Sequence, residues 1–402
     1  MIRQTTTIPV VEPPTADPAS RSRVGRWLFI AVEIALLGAI PILALLGFRT
    51  LLETQSGEFA VEPGPSDAGW AAAIDSSPLS IIIDVDEGRV GGAVLLAPSG
   101  DDVDGGTVIL ISGATQIDGV ALSERDPAGV VSAIEEALRL ELGVPAIADS
   151  VGWELLLGGE SIELANPDPV VADAANPETD ASEAVDENGD DDSSLEPSIL
   201  IPAGRVTVAP ADLAALSSRP PIVSSDLEAL EFRRDVLWRT LLVNATFDTD
   251  LDGDATLVTA ARHIERIASG VNRIESLPLD GSTIDPTATE ALIRSAVPLP
   301  RGHAVGARLQ VRIIDRSGGN DLEAAARNLG SAGFEVVQIA NAFVFDDGVT
   351  QVLAPPVGDE AEVARLVDLA DAATVPPSLD AEAASVVTLL LGPDAEIARS
   401  AE

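Results

Sequence analysis

Apolar residues recur in two rhythms along this chain. Residues 80–85 (SIIIDV), 93–96 (AVLL) and 107–111 (TVILI) are short apolar runs bounded by Gly and Asp. Runs of this length predict strands buried on both faces. After Asp126-Pro127 the rhythm changes. Val130, Val131, Ile134, Leu138 and Leu142 repeat at helical spacing, with Pro127 in the first turn and Gly143 as the expected stop. Residues 198–201 read as a strand, 227–243 as a long helix, and a further helix follows Asp254. A strand at 271–277 and a helix at 287–296 come next, before a Pro298/Pro300 hinge that no helix can continue through. Strands broken by helices predict a covered α/β/α sheet. Gly91-Gly92 and Gly105-Gly106 are expected in turns.

The last hundred residues repeat the theme on a smaller scale. Residues 308–314 alternate like a strand. Asn320 and Glu323 fit the N-cap and N3 positions of a capping box, and Gly333 is the expected stop of that helix. Strands at 334–339 and 351–353, a helix carrying Val363, Leu366, Val367 and Ala370, and a strand at 385–391 complete a small βαββαβ sandwich.

Two segments follow neither rhythm. Residues 27–48 (WLFIAVEIALLGAIPILALLGF) make an apolar stretch of about 22 residues, roughly 33 Å as a helix, which matches a bilayer's hydrocarbon core. Arg3, Arg21, Arg23 and Arg26 precede it, while Glu53, Glu58 and Glu62 follow it. Charge asymmetry then predicts a cytoplasmic tail (1–26), a single transmembrane helix (27–48) and an extracytoplasmic bulk behind a polar stalk (49–77). The other reading is a cleaved signal peptide, for which 47–50 (GFRT) is a poor cleavage site. Residues 166–197 are dense in Asp and Glu with no arginine, and read as a disordered acidic insertion.

Composition removes several chemistries. The 402 residues carry a formal net charge of −41, no cysteine, no tyrosine, and two histidines, His263 and His303. All 24 basic residues are arginine. Thiol nucleophiles, lysine Schiff bases and thiolate metal sites are therefore impossible. The charge opposes nucleic-acid binding. Aspartates 248, 250, 252 and 254 follow a D-x-D-x-D-G calcium-loop start, but Thr259 stands where the loop needs Glu. Asp248, Asp250, Asp252 and Asp254 are thus either a weak calcium site or an acidic loop capping the next helix.

Residues 311–318 (VRIIDRSG), 331–336 (SAGFEV) and 388–394 (TLLLGPD) resemble, in order and spacing, the LytR C-terminal domain, here spanning about 304–396. Asp315-Arg316 replaces the Asn-Gly of that family's turn. The preceding region, 78–300, resembles a degenerate LytR-CpsA-Psr (LCP) domain, through 155–162 (LLLGGESI), 206–213 (VTVAPADL) and the helix at 232–242. That resemblance implies a bacterial cell-envelope protein whose relatives move glycopolymers from polyprenyl-pyrophosphate carriers to the cell wall. The expected architecture is α/β, with an N-terminal single transmembrane helix, an LCP-like α/β/α sheet domain and a small C-terminal α/β sandwich.

The family's reactive motifs are missing. R-S-D-T is replaced near 90–93 (VGGA), with Arg89 adjacent, and I-P-R-D-T by 111–115 (ISGAT), so that Gly113 and Ala114 stand for arginine and aspartate. Pyrophosphate needs arginine forks, and its Mg²⁺ needs a fixed carboxylate. By the resemblance Arg89, Arg219 and Arg233 (or Arg234) remain as pyrophosphate ligands. Two readings follow. One is a non-catalytic, membrane-anchored binding or scaffolding protein. The other is an active transferase using those arginines with Asp84, Asp86 or Asp118. Expected partners are the membrane through one helix, a polyprenyl-linked glycan or cell-wall polymer, and other envelope proteins. No resident cofactor is expected beyond Mg²⁺ or Ca²⁺.

Overall fold

Two sheets organise the residues described by the computed structural model, which are 63–100, 103–171, 199–219, 227–248, 254–354, 359–375 and 386–399. Those from Gly64 onward belong to one compact unit. In chain order the elements are β1 (Ala71–Ala73), β2 (Ser80–Asp86), β3 (Arg89–Pro98), β4 (Gly105–Ser112), β5 (Gln116–Ile117), β6 (Val120–Ala121), α1 (Pro127–Leu138), β7 (Ala146–Ala148) and α2 (Ser150–Leu156). There follow β8 (Ile162–Asn166), β9 (Val170–Val171), β10 (Ile199–Ile201), β11 (Gly204–Val208), α3 (Leu213–Ser218), α4 (Leu227–Asn244), α5 (Ala255–Ala268), β12 (Val271–Ser276), β13 (Leu279–Asp280), β14 (Thr283–Ile284) and α6 (Pro286–Ala296). The last part holds β15 (Gln310–Asp315), α7 (Leu322–Ser331), β16 (Glu335–Asn341), β17 (Gln351–Leu353), α8 (Glu360–Leu369), β18 (Ala373–Val375) and β19 (Val387–Leu391).

The first sheet runs β12-β4-β3-β2-β7. Its apolar runs serve two cores at once. Ile82, Val94, Leu96, Val108 and Leu110 point into one, against α2 to α5. Ile81, Ile83, Leu95, Ile109 and Ile111 point into the other, against α1 and α6. Alternate residues of one strand thus feed opposite layers, which is why the runs are apolar throughout. Trp153 and Trp238 fill the first layer, with ring centroids 6.2 Å apart.

The second sheet runs β1-β16-β15-β19-β17-β18 and has its own core. Its first strand comes from the segment read as a stalk: Ala71 to Ala73 pair antiparallel with β16, Ala71 opposite Ala340. The side chains of 71–73 are all alanine and carry no pattern, so only the ladder with β16 makes them a strand. The stretch expected as a hinge is packed. Val297 is buried, the Leu299 N–H donates to Ser77 Oγ at 3.0 Å, and a side chain on Gly330 would meet Pro298 O at 1.8 Å.

Local details depart from expectation where tertiary contacts decide. Helix α1 stops at Leu138, not Gly143, because Arg139 is left-handed (φ 56°). Its last carbonyls are taken by a residue far along the chain: Arg308 Nη2 donates to Leu138 O at 3.0 Å and Nε to Arg139 O at 2.9 Å. Helix α7 is capped by Asp321, whose carboxylate accepts from the Ala324 N–H at 2.9 Å, so the Asn320/Glu323 capping box does not form. Asn320 instead donates to Asp315 Oδ1 and Gly392 O. Gly91-Gly92 and Gly105-Gly106 lie in strands rather than turns. At Gly105 a side chain would sit 2.3 Å from Val271 O of the neighbouring strand.

Among the described residues no helix is long and apolar enough to cross a membrane. The predicted span 27–48 lies outside them, as does 172–197 of the acidic segment. The first residues of that segment are structured, since Asn166 ends β8 and Val170–Val171 form β9.

Candidate functional site

The end of β2, the start of β3 and the end of α3 meet around a cavity of about 350 Å³, lined by Asp86, Glu87, Arg89, Val90, Gly91, Ser123, Ser218 and Arg219. The β2–β3 hairpin builds its rim. Glu87 (φ 49°) and Gly88 (φ 79°) both take left-handed backbone, the pairing a two-residue hairpin turn requires. This presents Asp86, Glu87 and Arg89 side by side.

The two glycine-containing stretches, 90–93 and 111–115, are brought together here. Gly92 pairs with Ser112 across β3 and β4, and the Gly113 N–H donates to Gly91 O at 3.0 Å. Neighbours fill the space that side chains would take at these glycines. A Cβ on Gly91 would lie 1.8 Å from Ser218 Cβ. One on Gly92 would lie 2.8 Å from Arg234 Nη1, and one on Gly113 2.5 Å from Gly91 O. An arginine or aspartate has no room at any of the three.

Of the arginines expected as pyrophosphate ligands, Arg219 and Arg233 are already engaged. Arg219, almost buried, donates Nε to Asp86 Oδ2 at 2.5 Å and Nη1 to Val171 O at 3.2 Å, and pairs Nη2 with Glu87 Oε1 at 3.0 Å. The Asp86 bond, more than any other contact, pushes the Arg219 guanidinium further up its already high range. Arg89 lines the cavity and is exposed. Arg233 does not line it. It is buried behind, with Nη1 donating to Arg219 O at 2.7 Å, and burial lowers its pKa.

Beneath the cavity lies the group the sequence located least well. Arg234 is wholly buried and donates to Ile111 O (2.7 Å), Ala93 O (3.0 Å) and Asp84 Oδ2 (3.1 Å). Asp84 is equally buried, and desolvation raises its pKa against the opposing pull of Arg234. The pair ties three neighbouring strands to α4. A double arginine on an otherwise amphipathic helix is the signal for it, yet spacing alone leaves open which arginine enters the core. Asp118 sits exposed in the β5–β6 turn, φ 55°.

The calcium-loop aspartates divide. Asp254 is the N-cap of α5, accepting from the Thr256 and Leu257 N–H groups and from Thr256 Oγ1, and those bonds lower its pKa. Asp248 is placed by its N–H, which donates to Leu156 O. Asp250 and Asp252 fall outside the described residues. Among the described residues no cluster of acidic or His side chains is set to hold a metal. His263 Nδ1 meets Ser80 Oγ at 2.9 Å and joins no such cluster.

No protein-family pattern and no curated protein matches the sequence. Solved structures do. The LytR-Csp2A-Psr enzyme from Actinomyces oris is similar at 18% identity over 57% of this chain and 93% of that one, with a TM-score of 0.35. TagV from B. subtilis is similar at 10% identity over 55% and 97%, TM-score 0.34. The Lin1025 protein from Listeria innocua is similar at 14% identity over 55% and 97%, TM-score 0.32. Likeness at this level assigns nothing to the chain, and the geometry of the site carries the reading.

Proposed function

We propose that this chain is a membrane-anchored, extracytoplasmic protein of the bacterial envelope, a binding or scaffolding relative of the LCP polymer transferases that has lost the transfer reaction. One observation carries the proposal: Asp86 and Glu87 occupy the guanidinium of Arg219, the arginine best placed to hold a pyrophosphate. The cavity wall holds two acidic and two basic side chains, so it offers a diphosphate no net attraction. An incoming phosphate must break a charge-assisted pair before it makes one. At the junction beside it, Gly91, Gly92 and Gly113 leave no room for an arginine or an aspartate. A carrier lipid also needs an apolar channel, and the layer under the sheet on the α2–α5 side is filled by Trp153 and Trp238.

The test is a purification of the full-length chain in detergent from a host that makes polyprenyl carriers, followed by native mass spectrometry and a transfer assay with Mg²⁺. The expected result is protein free of carrier and no turnover. Retained carrier, or turnover abolished by Arg219→Ala, overturns the proposal in favour of an active transferase. Accessibility of the acidic segment to protease added outside intact cells checks the orientation.

A further inference from the structure

A second cavity, of about 290 Å³, lies where α1, α6, α8, the residues just before β15 and Gly333 after α7 converge. Its wall holds four arginines, Arg139, Arg294, Arg308 and Arg365, against two glutamates, Glu290 and Glu362. In a chain of net charge −41 this concentration of arginine runs against the rest of the surface. Both glutamates are already engaged: Arg294 Nε donates to Glu290 at 3.0 Å, and Arg365 Nη2 to Glu362 at 2.5 Å. The charge of Arg308 is left facing Glu290 only at 3.8 Å, and Arg139 has no acidic partner among the described residues.

The geometry converges on one point. Around Gly333, at φ 91°, the side chains crowd together: a methyl group there would lie 2.7 Å from Glu290 Oε1, 3.3 Å from Arg294 Nε and 3.5 Å from Arg308 Nη1. Arg308 is held rigidly by three backbone carbonyls, those of Leu138, Arg139 and Gly333. Arg365 is stacked on Phe334, its Cζ 4.4 Å from the ring centroid, and its buried Nε–H has no partner. Burial lowers the pKa of Arg308, and the nearby charges of Arg139 and Arg294 lower it further, against the pull of Glu290 and of Glu335 behind. Arg308 and Arg365 are held in place, and with Arg139 and Arg294 the wall carries two more positive than negative charges, which suits a dianion better than a carboxylate.

We infer that this cavity binds a phosphate-class oxyanion, as inorganic phosphate or as the terminal phosphate of an ester, gripping it between the end of α1 and the helices α6 and α8. The inference does not depend on the reading of the first cavity. The cavity sits at the small end of ligand-site volumes, so it takes the phosphate and little of what the phosphate is attached to.

The experiment is calorimetric titration of the full-length chain in detergent with inorganic phosphate and, separately, glycerol 3-phosphate, at constant ionic strength. Arg139→Asn and Arg294→Gln are the variants. Asn tolerates the left-handed backbone of position 139, so folding is preserved. Arg301→Gln, an exposed arginine paired with Glu141 outside the cavity, is the control. Saturable binding is expected, weakened about tenfold or more in each cavity variant and unchanged in the control. A response to the ester alone, with the same pattern among variants, also supports the site and identifies its source as an ester. Absence of saturable binding by either anion, or wild-type affinity in both cavity variants, overturns it.

Discussion

Removing Arg234 strands a carboxylate in a fully desolvated position, because Asp84 has no solvent to turn to. Breaking a buried pair from one side costs about 3–5 kcal/mol. The Arg234→Met deficit depends on pH with a definite sign. The folded-state pKa of Asp84 is already raised by burial, and loss of Arg234 raises it further, while the unfolded chain keeps the ordinary value of 3.8. The folded state then favours the protonated acid. The penalty is largest at high pH and shrinks as pH falls and the stranded acid of the variant takes up its proton. Urea denaturation of wild type and variant at pH 8 and pH 5 should show the smaller difference at pH 5. A difference that grows on acidification would sink this account of the pair.

At the scale of the element, helix ends turn on single side chains that spacing does not identify. Asp321 caps α7, whereas Glu323 is an exposed residue 3.7 Å from Arg327. Asp321→Ala should lower stability by about 1 kcal/mol, and Glu323→Ala by a few tenths at most, read from denaturation midpoints. Equal effects would restore the capping box. This contrast marks how far the sequence was legible. Periodicity located β2, β4, α1, α6 and α8, since each is dictated by a face that must be buried. It missed β1, whose alanines pair only through the backbone, and misplaced the end of α1, which is fixed by an arginine from the other sheet's territory. The bare backbone at Gly91, Gly92 and Gly113 was legible, because glycine is visible in any reading. That Asp86 and Glu87 both pair with Arg219 was not, because a hairpin's twist decides it.

For the molecule as a whole, the excess of acidic groups works against compactness. With a net charge of −41, self-repulsion in the folded state exceeds that in the expanded chain, and salt screens it over about 8–10 Å at physiological strength. The melting temperature of the full-length chain should therefore rise as NaCl goes from low to physiological concentration. A fall would mean that attractive pairs such as Arg219–Asp86 outweigh the repulsion. The edge strand β1 adds a mechanical consequence. The chain enters the fold by pairing with β16, then builds the whole first sheet, and only afterwards returns to supply β16. A pull on the N-terminal side therefore loads the sheet made from the last part of the chain, and the intervening α/β/α layers stay slack until the β1–β16 ladder parts. If anything tugs on this protein from its N-terminal end, the three-residue strand is the fuse.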